Sequence, residues 1–198
     1  MKIALIVLDG WGIAPKGPGN CIELAKPKFF WSIEKNYPHT SLDASGTAVG
    51  LPKGAMGTSE VGHLHIGAGR IVKQPISFID EQIKNKKFFE NQSLKKTFDF
   101  VKKNKSSLHI MGLCSDKLVH SSINHLFALL EMAKKDGQKK VFIHFFADGR
   151  DAPEKSALKY VGMIEKKIKK TGIGKIASVV GRYYAMDRDS QYSRTKKA

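Results

Sequence analysis

The chain opens on a continuous apolar run, Ile3 to Leu8, which fits a buried parallel strand. Asp9 follows at its C-terminal end, where open α/β sheets gather ligands. Pro27 suits the first position of a helix, which stops before Pro38. A second strand is predicted over Thr40 to Ala44, then a Gly-rich loop, then a helix from about Ser59. Gly67, Gly69 and Pro75 mark a change of organisation, with a linker near Val72 to Pro75. Amphipathic helices follow over Phe78 to Lys87 and Ser93 to Lys103. Beyond them a strand is predicted over Leu108 to Cys114, then a helix over Ser121 to Lys135. That helix carries Ile123, Leu126, Phe127 and Leu130 on one face and has Gly137 as its stop. Strand Val141 to Ala147, helix Pro153 to Lys170 and strand Ile176 to Gly181 complete the pattern. This βαβαβ alternation predicts an α/β fold, with parallel strands, flanking helices and right-handed crossovers. No internal repeat or low-complexity segment interrupts it.

Each of the last three strands runs into polar residues. Ser115, Asp116 and His120 follow the first, and Asp148, Gly149, Arg150 and Asp151 the second. Arg182, Asp187, Arg188 and Asp189 follow the third. Groups at one edge of one parallel sheet converge on one pocket. Turn and cap chemistry is the competing reading, since Asp-Gly is a common turn and Ser121 a plausible N-cap. It explains any one cluster, but turns do not require the pair Arg150 and Arg182.

The stretch Gly50 to Gln74 sets Ser59 between a Gly-rich approach and a helix start. Unpaired backbone N–H groups and the positive end of the helix dipole stabilise phosphate there. Ser59 therefore reads as a phosphoryl-accepting serine, with a plain N-cap as the alternative. His63 and His65 are read as structural, because two residues apart on a helix they point in different directions.

Composition narrows the classes. With 41% hydrophobic and 9% aromatic residues the chain can bury a core, which excludes a disordered segment. No apolar run reaches the roughly 18 residues of a membrane span, and the N-terminal run lacks signal-peptide features. A cytoplasmic protein with no membrane partner is expected. Cys21 and Cys114 have no metal-type spacing and read as two lone core thiols. The formal charge of +16 raises nucleic-acid binding. The lysines fall on helix faces and loops with few aromatics between them, so solvated lysine faces are favoured over a nucleic-acid partner. The five arginines, Arg70, Arg150, Arg182, Arg188 and Arg194, all lie in motif-like segments. Arginine supplies the planar fork that phosphate and carboxylate recognition needs.

In the segments LIVLDGWG, GLPKGAMGTSEVGHLHIGAGR, HIMGLCSD with VHS, HFFADGRDAP and GRYYAMDRD, the chain resembles cofactor-independent phosphoglycerate mutase of the alkaline phosphatase superfamily. The motifs occur in family order and cover nearly the whole chain. The resemblance implies interconversion of 3-phosphoglycerate and 2-phosphoglycerate in glycolysis, through a phosphoserine and without a bisphosphoglycerate cofactor. It implies two divalent metal ions, usually manganese. Ser59 matches the nucleophile, which is also a metal ligand, and Asp9 matches a ligand of the same ion. His120, Arg150, Arg182 and Arg188 match residues that hold the anionic groups of the substrate. Asp151 matches the carboxylate that handles protons on the glycerate hydroxyls.

By the same resemblance, residues 1–74 are the N-terminal part of a discontinuous phosphatase-like domain. Residues 75–198 are the N-terminal part of the substrate-binding phosphotransferase domain. The family chain is more than twice this long. Its remaining Asp and His metal ligands, a substrate-binding lysine and a further pair of arginines match nothing here. One Asp and one Ser cannot complete a divalent site, which takes about four to six ligands. The expectation is a truncated chain whose chemistry needs the C-terminal portion in cis or in trans. Its first 74 residues should be unstable alone or expose an apolar patch. A fragment that binds phosphoglycerate weakly without turnover is the first alternative, and nonspecific anion binding through the lysines the second. Locally, Lys117 and Leu118 replace two glycines of the family pattern, Ser122 a histidine, and Gln191 an arginine.

Overall fold

The computed structural model describes residues 2–198. Helices α1 (Cys21–Ala25) and α2 (Lys28–Asn36) come first, then a 3-10 turn at Gly46–Val49 and helix α3 (Ser59–Ala68). Helices α4 (Pro75–Lys84) and α5 (Gln92–Lys103) flank a second 3-10 turn at Lys87–Glu90. The rest alternates: β1 (Leu108–Leu113), α6 (Ile123–Lys135), β2 (Val141–Ala147), α7 (Ala157–Thr171), β3 (Lys175–Gly181), α8 (Arg182–Ala185) and α9 (Tyr192–Thr195).

The three strands form one parallel sheet in the order β1-β2-β3, with Leu108 opposite Val141 and Phe142 opposite Lys175. The predicted βαβαβ unit is therefore present. Along β2 the period of two separates buried Val141, Ile143 and Phe145 from half-buried Phe142, His144 and Phe146. The buried face meets Leu130 of α6, Tyr160 and Ile164 of α7, and Phe98 of α5 in the main core. The opposite face is open, with Met111 66% and Val179 60% exposed.

The two early strands are not formed. Residues 3–8 and 40–44 are irregular, and Ile3, Leu5 and Ile6 are 83%, 74% and 80% exposed. The run was read as a buried parallel strand, but a parallel strand needs hydrogen-bonded neighbours. Among the described residues the sheet is β1-β2-β3, and none of its strands pairs with this run. The exposed patch expected of the first 74 residues is thus present.

Four smaller expectations also change. Pro75 occupies the first turn of α4, so that helix starts at the linker and stops at Lys84. Pro153 opens a turn rather than α7: its carbonyl accepts the Ser156 N–H, and the helix begins at Ala157. Ser121 is not the cap of α6; its hydroxyl donates to the Leu113 carbonyl at 2.6 Å, and Ser122 holds the cap position. Cys21 is exposed, so Cys114 alone is a core thiol, and burial pushes it up to about 11.

A second, smaller core holds the Gly-rich loop in place. Val49, Leu51, Ala55 and Val61 are buried together, with Ile76 and Leu118 packed against them. Ile143 is 1% exposed at the centre of the main core. Ile143→Ala should lower stability by about 2–5 kcal/mol, read as a shift in the urea midpoint without a change in slope.

Candidate active site

Asp9 and Ser59 meet although 50 residues separate them. Asp9 lies in a turn closed by the Trp11 N–H on the Leu8 carbonyl at 3.1 Å. The Trp11 ring rests on Phe30 of α2, with centroids 4.7 Å apart. Ser59 is the first residue of α3, because Thr58 caps that helix and accepts the Val61 N–H at 3.3 Å. The Ser59 hydroxyl donates to Asp9 Oδ2 at 2.6 Å.

Close backbone packing sets the approach to Ser59. A Cβ on Gly57 would lie 1.8 Å from the Ala44 carbonyl oxygen, and one on Gly50 2.1 Å from that of Val72. Gly50 also takes φ +67°, which a side chain strains. The Gln74 N–H donates to the Gly50 carbonyl at 2.9 Å, so the predicted linker is clamped onto the loop.

The opposite wall comes from the C-terminal edge of the sheet, with Asp148 at its centre. Its side chain is fully enclosed and accepts from Ser115 Oγ at 2.8 Å, the Asp151 N–H at 2.9 Å, the Arg150 N–H at 3.2 Å and Arg182 Nη1 at 2.9 Å. Burial alone would raise this carboxyl; the bonds from Ser115, the two backbone amides and Arg182 outweigh it and hold the pKa below its ordinary value. Arg182 Nη1 also donates to Asp151 Oδ2 at 2.6 Å, and His120 Nε2 stands 3.7 Å from that oxygen. Burial would lower the Arg182 pKa, but its bonds to Asp151 and Asp148 raise it.

These walls face each other across a cleft of about 620 Å³ lined by Ser59, His120, Arg150, Asp151 and Arg188. Of the predicted site residues, Asp9 and Arg182 do not line it; Asp9 reaches the cleft only through its bond to Ser59. The Arg182 guanidinium serves Asp148 and Asp151 and borders an adjacent cavity of about 400 Å³ with Arg194, Asp187 and Asp189. Arg194 donates to Asp187 at 2.9 Å and Asp189 at 3.1 Å, and its guanidinium lies over the Tyr183 ring. Asp116 turns away to Lys159 and Tyr160, whose hydrogen bonds bring its pKa down to about 2.

Two features escaped the sequence reading. Asp148 was one polar residue among several, and nothing in a single sequence ranks it as the hub. His63 was read as structural, yet its Nδ1 lies 3.3 Å from Ser59 Oγ and 2.9 Å from the Ser59 carbonyl oxygen. The spacing of four on one helix was the available signal. His65 diverges as expected: Nδ1 bonds the Val61 carbonyl at 2.6 Å, and Nε2 accepts the Val72 N–H at 2.9 Å. Leu118 takes φ +61°, a left-handed conformation costly for a side chain.

Asp9 and Ser59 offer oxygen donors suited to a hard or borderline divalent ion. They fit as part of a ligand set. Among the described residues no group of three or more His, Cys, Asp or Glu could hold an ion.

Asp148→Asn should cost about 3 kcal/mol, since it leaves buried donors facing a neutral group. The Asp148 contribution is complete above the ordinary carboxylate value of about 3.9 and lost as pH falls through the lower folded value. The variant's stability should accordingly lose part of its acid dependence in urea titrations. Gly57→Ala should force the loop off Ala44 and break the Ser59–Asp9 contact, seen as changed amide shifts at residues 57–63.

Comparison with known proteins gives a consistent set of relatives. The family model for the BPG-independent PGAM N-terminus matches residues 79–198. The 2,3-bisphosphoglycerate-independent phosphoglycerate mutase of Staphylococcus saprophyticus is 52% identical over 195 residues, 98% of this chain and 39% of that protein. The Clostridium beijerinckii enzyme of the same name is 52% identical over 196 residues, 99% of this chain and 38% of that protein. A Leishmania mexicana phosphoglycerate mutase, whose crystal structures were determined at low cobalt concentration, superposes with a TM-score of 0.83 at 35% identity, over 96% of this chain and 36% of that one. The chain thus spans about 39% of the length of these curated relatives.

Proposed function

The chain belongs to the BPG-independent phosphoglycerate mutase family, and from that premise we propose that it contributes Ser59 and the substrate cradle to the interconversion of 3-phosphoglycerate and 2-phosphoglycerate in glycolysis. The observation that carries this reading is the cleft in which Ser59 faces His120, Arg150, Asp151 and Arg188. A nucleophilic hydroxyl on one wall and anion-binding donors on the other suit transfer of a phosphoryl group from a small carboxylate.

Ser59 Oγ passes its hydrogen to Asp9 Oδ2 and attacks phosphorus, the bond from phosphorus to the glycerate C3 oxygen breaks, and that oxygen takes a proton from Asp151. The glycerate reorients, its C2 oxygen gives its proton to Asp151 and attacks phosphorus, the bond from phosphorus to Ser59 Oγ breaks, and Oγ takes its hydrogen back from Asp9. Asp9 orients the Ser59 hydroxyl, whose hydrogen points at Oδ2. Arg150, Arg188 and His120 hold the phosphate and carboxylate. Asp151 supplies and removes the glycerate protons. Arg182, bonded to Asp151 and Asp148, keeps that carboxylate in place.

Asp9 and Ser59 would be ligands of one of two divalent ions, manganese being the expected metal. Such ions supply charge neutralisation at the transferring phosphoryl group and lower the alcohol pKa. The remaining ligands would come from polypeptide outside residues 2–198, in cis or in trans. On this reading residues 1–74 belong to a phosphatase-like domain and 75–198 to the substrate-binding domain, in a cytoplasmic enzyme.

Supplied in trans with the C-terminal portion of the Staphylococcus saprophyticus relative and Mn2+, the chain should turn over 3-phosphoglycerate and yield a Ser59 phosphopeptide. Ser59→Ala should lower turnover more than about 10³-fold. Turnover that survives Ser59→Ala would reject the nucleophile. Calorimetry on the chain alone should give heat with 3-phosphoglycerate that Arg150→Ala abolishes.

A further inference from the structure

We propose that His63 is the positioning residue for Ser59, acting as a fixed N–H donor through Nδ1. The inference rests on the reading of Ser59 as the phosphoryl acceptor.

The hydrogen-bond inventory around Ser59 dictates the donor. His63 Nδ1 lies 2.9 Å from the Ser59 carbonyl oxygen, one helical turn earlier. A carbonyl oxygen only accepts, so Nδ1 must carry the hydrogen. The same nitrogen stands 3.3 Å from Ser59 Oγ. The Ser59 hydroxyl hydrogen is already committed to Asp9 Oδ2 at 2.6 Å. Oγ is therefore a donor toward Asp9 and presents its lone pairs toward the His63 N–H. An acceptor at 2.6 Å and a donor at 3.3 Å together select one χ1 rotamer of a side chain that would otherwise sample three.

This geometry separates His63 from a serine-activating base. A base needs an unprotonated nitrogen facing the hydroxyl hydrogen, as in a serine–histidine pair. Here the nitrogen nearest Oγ is a donor, and the hydrogen points to a carboxylate. The consequence is orientation of Oγ and support for negative charge that develops on it, not proton removal.

His65 is an internal comparator. Its Nδ1 makes the same backbone bond, to Val61, but its Nε2 accepts the Val72 N–H. It therefore shares the Nδ1–H form while serving the linker and not Ser59.

The test uses the whole chain and two independent readouts. Long-range ¹H–¹⁵N spectra, taken well above the usual imidazole pKa of about 6.5, should show both histidines as Nδ1–H tautomers. Ser59→Ala should move only the His63 signals. An Nε2–H tautomer at His63 in the unmodified chain would overturn the proposal without any variant. Three-bond couplings should show Ser59 in one rotamer. It should average over rotamers in His63→Phe, which fills the ring's space without a donor. It should return to one rotamer in His63→Asn, which places an amide N–H near Nδ1. A single rotamer retained in a folded His63→Phe chain would also overturn it.

In the reconstituted enzyme, Ser59 phosphorylation should slow about tenfold in His63→Phe, which is about 1.4 kcal/mol of barrier. It should recover in His63→Asn; equal rates in all three proteins would count against the proposal. Absence of phosphoserine in the unmodified enzyme would reject the nucleophile reading itself, while the rotamer and tautomer data would still decide whether His63 positions Ser59.

Discussion

The small apolar cluster of Val49, Leu51, Ala55 and Val61 is the constraint on which the site depends. It joins the Gly-rich loop to the first turn of α3, and Ile76 and Leu118 pack on it from α4 and the segment after β1. Ser59 and His120 sit beside these apolar contacts, one on each wall of the cleft. Neither Gly50 nor Gly57 leaves room for a Cβ against its neighbouring backbone. The loop is consequently packed as tightly as a core, although most of the first 45 residues are exposed. Leu118 illustrates the balance: its left-handed backbone is unfavourable, and its packing on this cluster offsets that cost.

Asp148 does for the other wall what the apolar cluster does for the first. It is buried, and four donors converge on it from the end of β1, from the turn that follows β2 and from the start of α8. A buried carboxylate survives only when its lone pairs are satisfied. Satisfying them fixes the backbone at Arg150 and Asp151, and through Arg182 it fixes the Asp151 side chain as well. A single desolvated charge thereby organises three strand ends into one surface.

Legibility in the sequence followed how local the determining physics was. Strand β2 and the alternation around it were readable, because a buried parallel strand shows its apolar run whatever surrounds it. Ile3 to Leu8 shows the same kind of run and failed, since strand formation also needs partners that no local pattern reveals. The helix at Ser59 was legible from the Gly-rich approach before it, though its N-cap is Thr58 and not Ser59. The meeting of Asp9 with Ser59 was expected from family resemblance alone; a sequence separation of 50 hides it from any spacing rule. Ser121 and Pro153 misled because cap and turn residues compete for the same positions. Asp148 was visible as a residue but not as a hub, because its burial is a property of three strand ends together.

The arginines show why scarcity in composition carried information. Arg182 and Arg194 are tied to acids: the first to Asp148 and Asp151, the second to Asp187 and Asp189. Arg150 and Arg188 line the cleft and have no ion-pair partner among the described residues. The four thus divide into two that build the frame and two whose charge is left uncompensated inside it. Arg182 and Arg194 each spend Nη1 on two carboxylates and serve as structure. An arginine facing an open cleft without an acid keeps its fork free for an incoming anion. In the frame a single nitrogen, Arg182 Nη1, donates to both Asp148 and Asp151. The same residue type therefore sets the geometry of the cleft and leaves it attractive to a small anion.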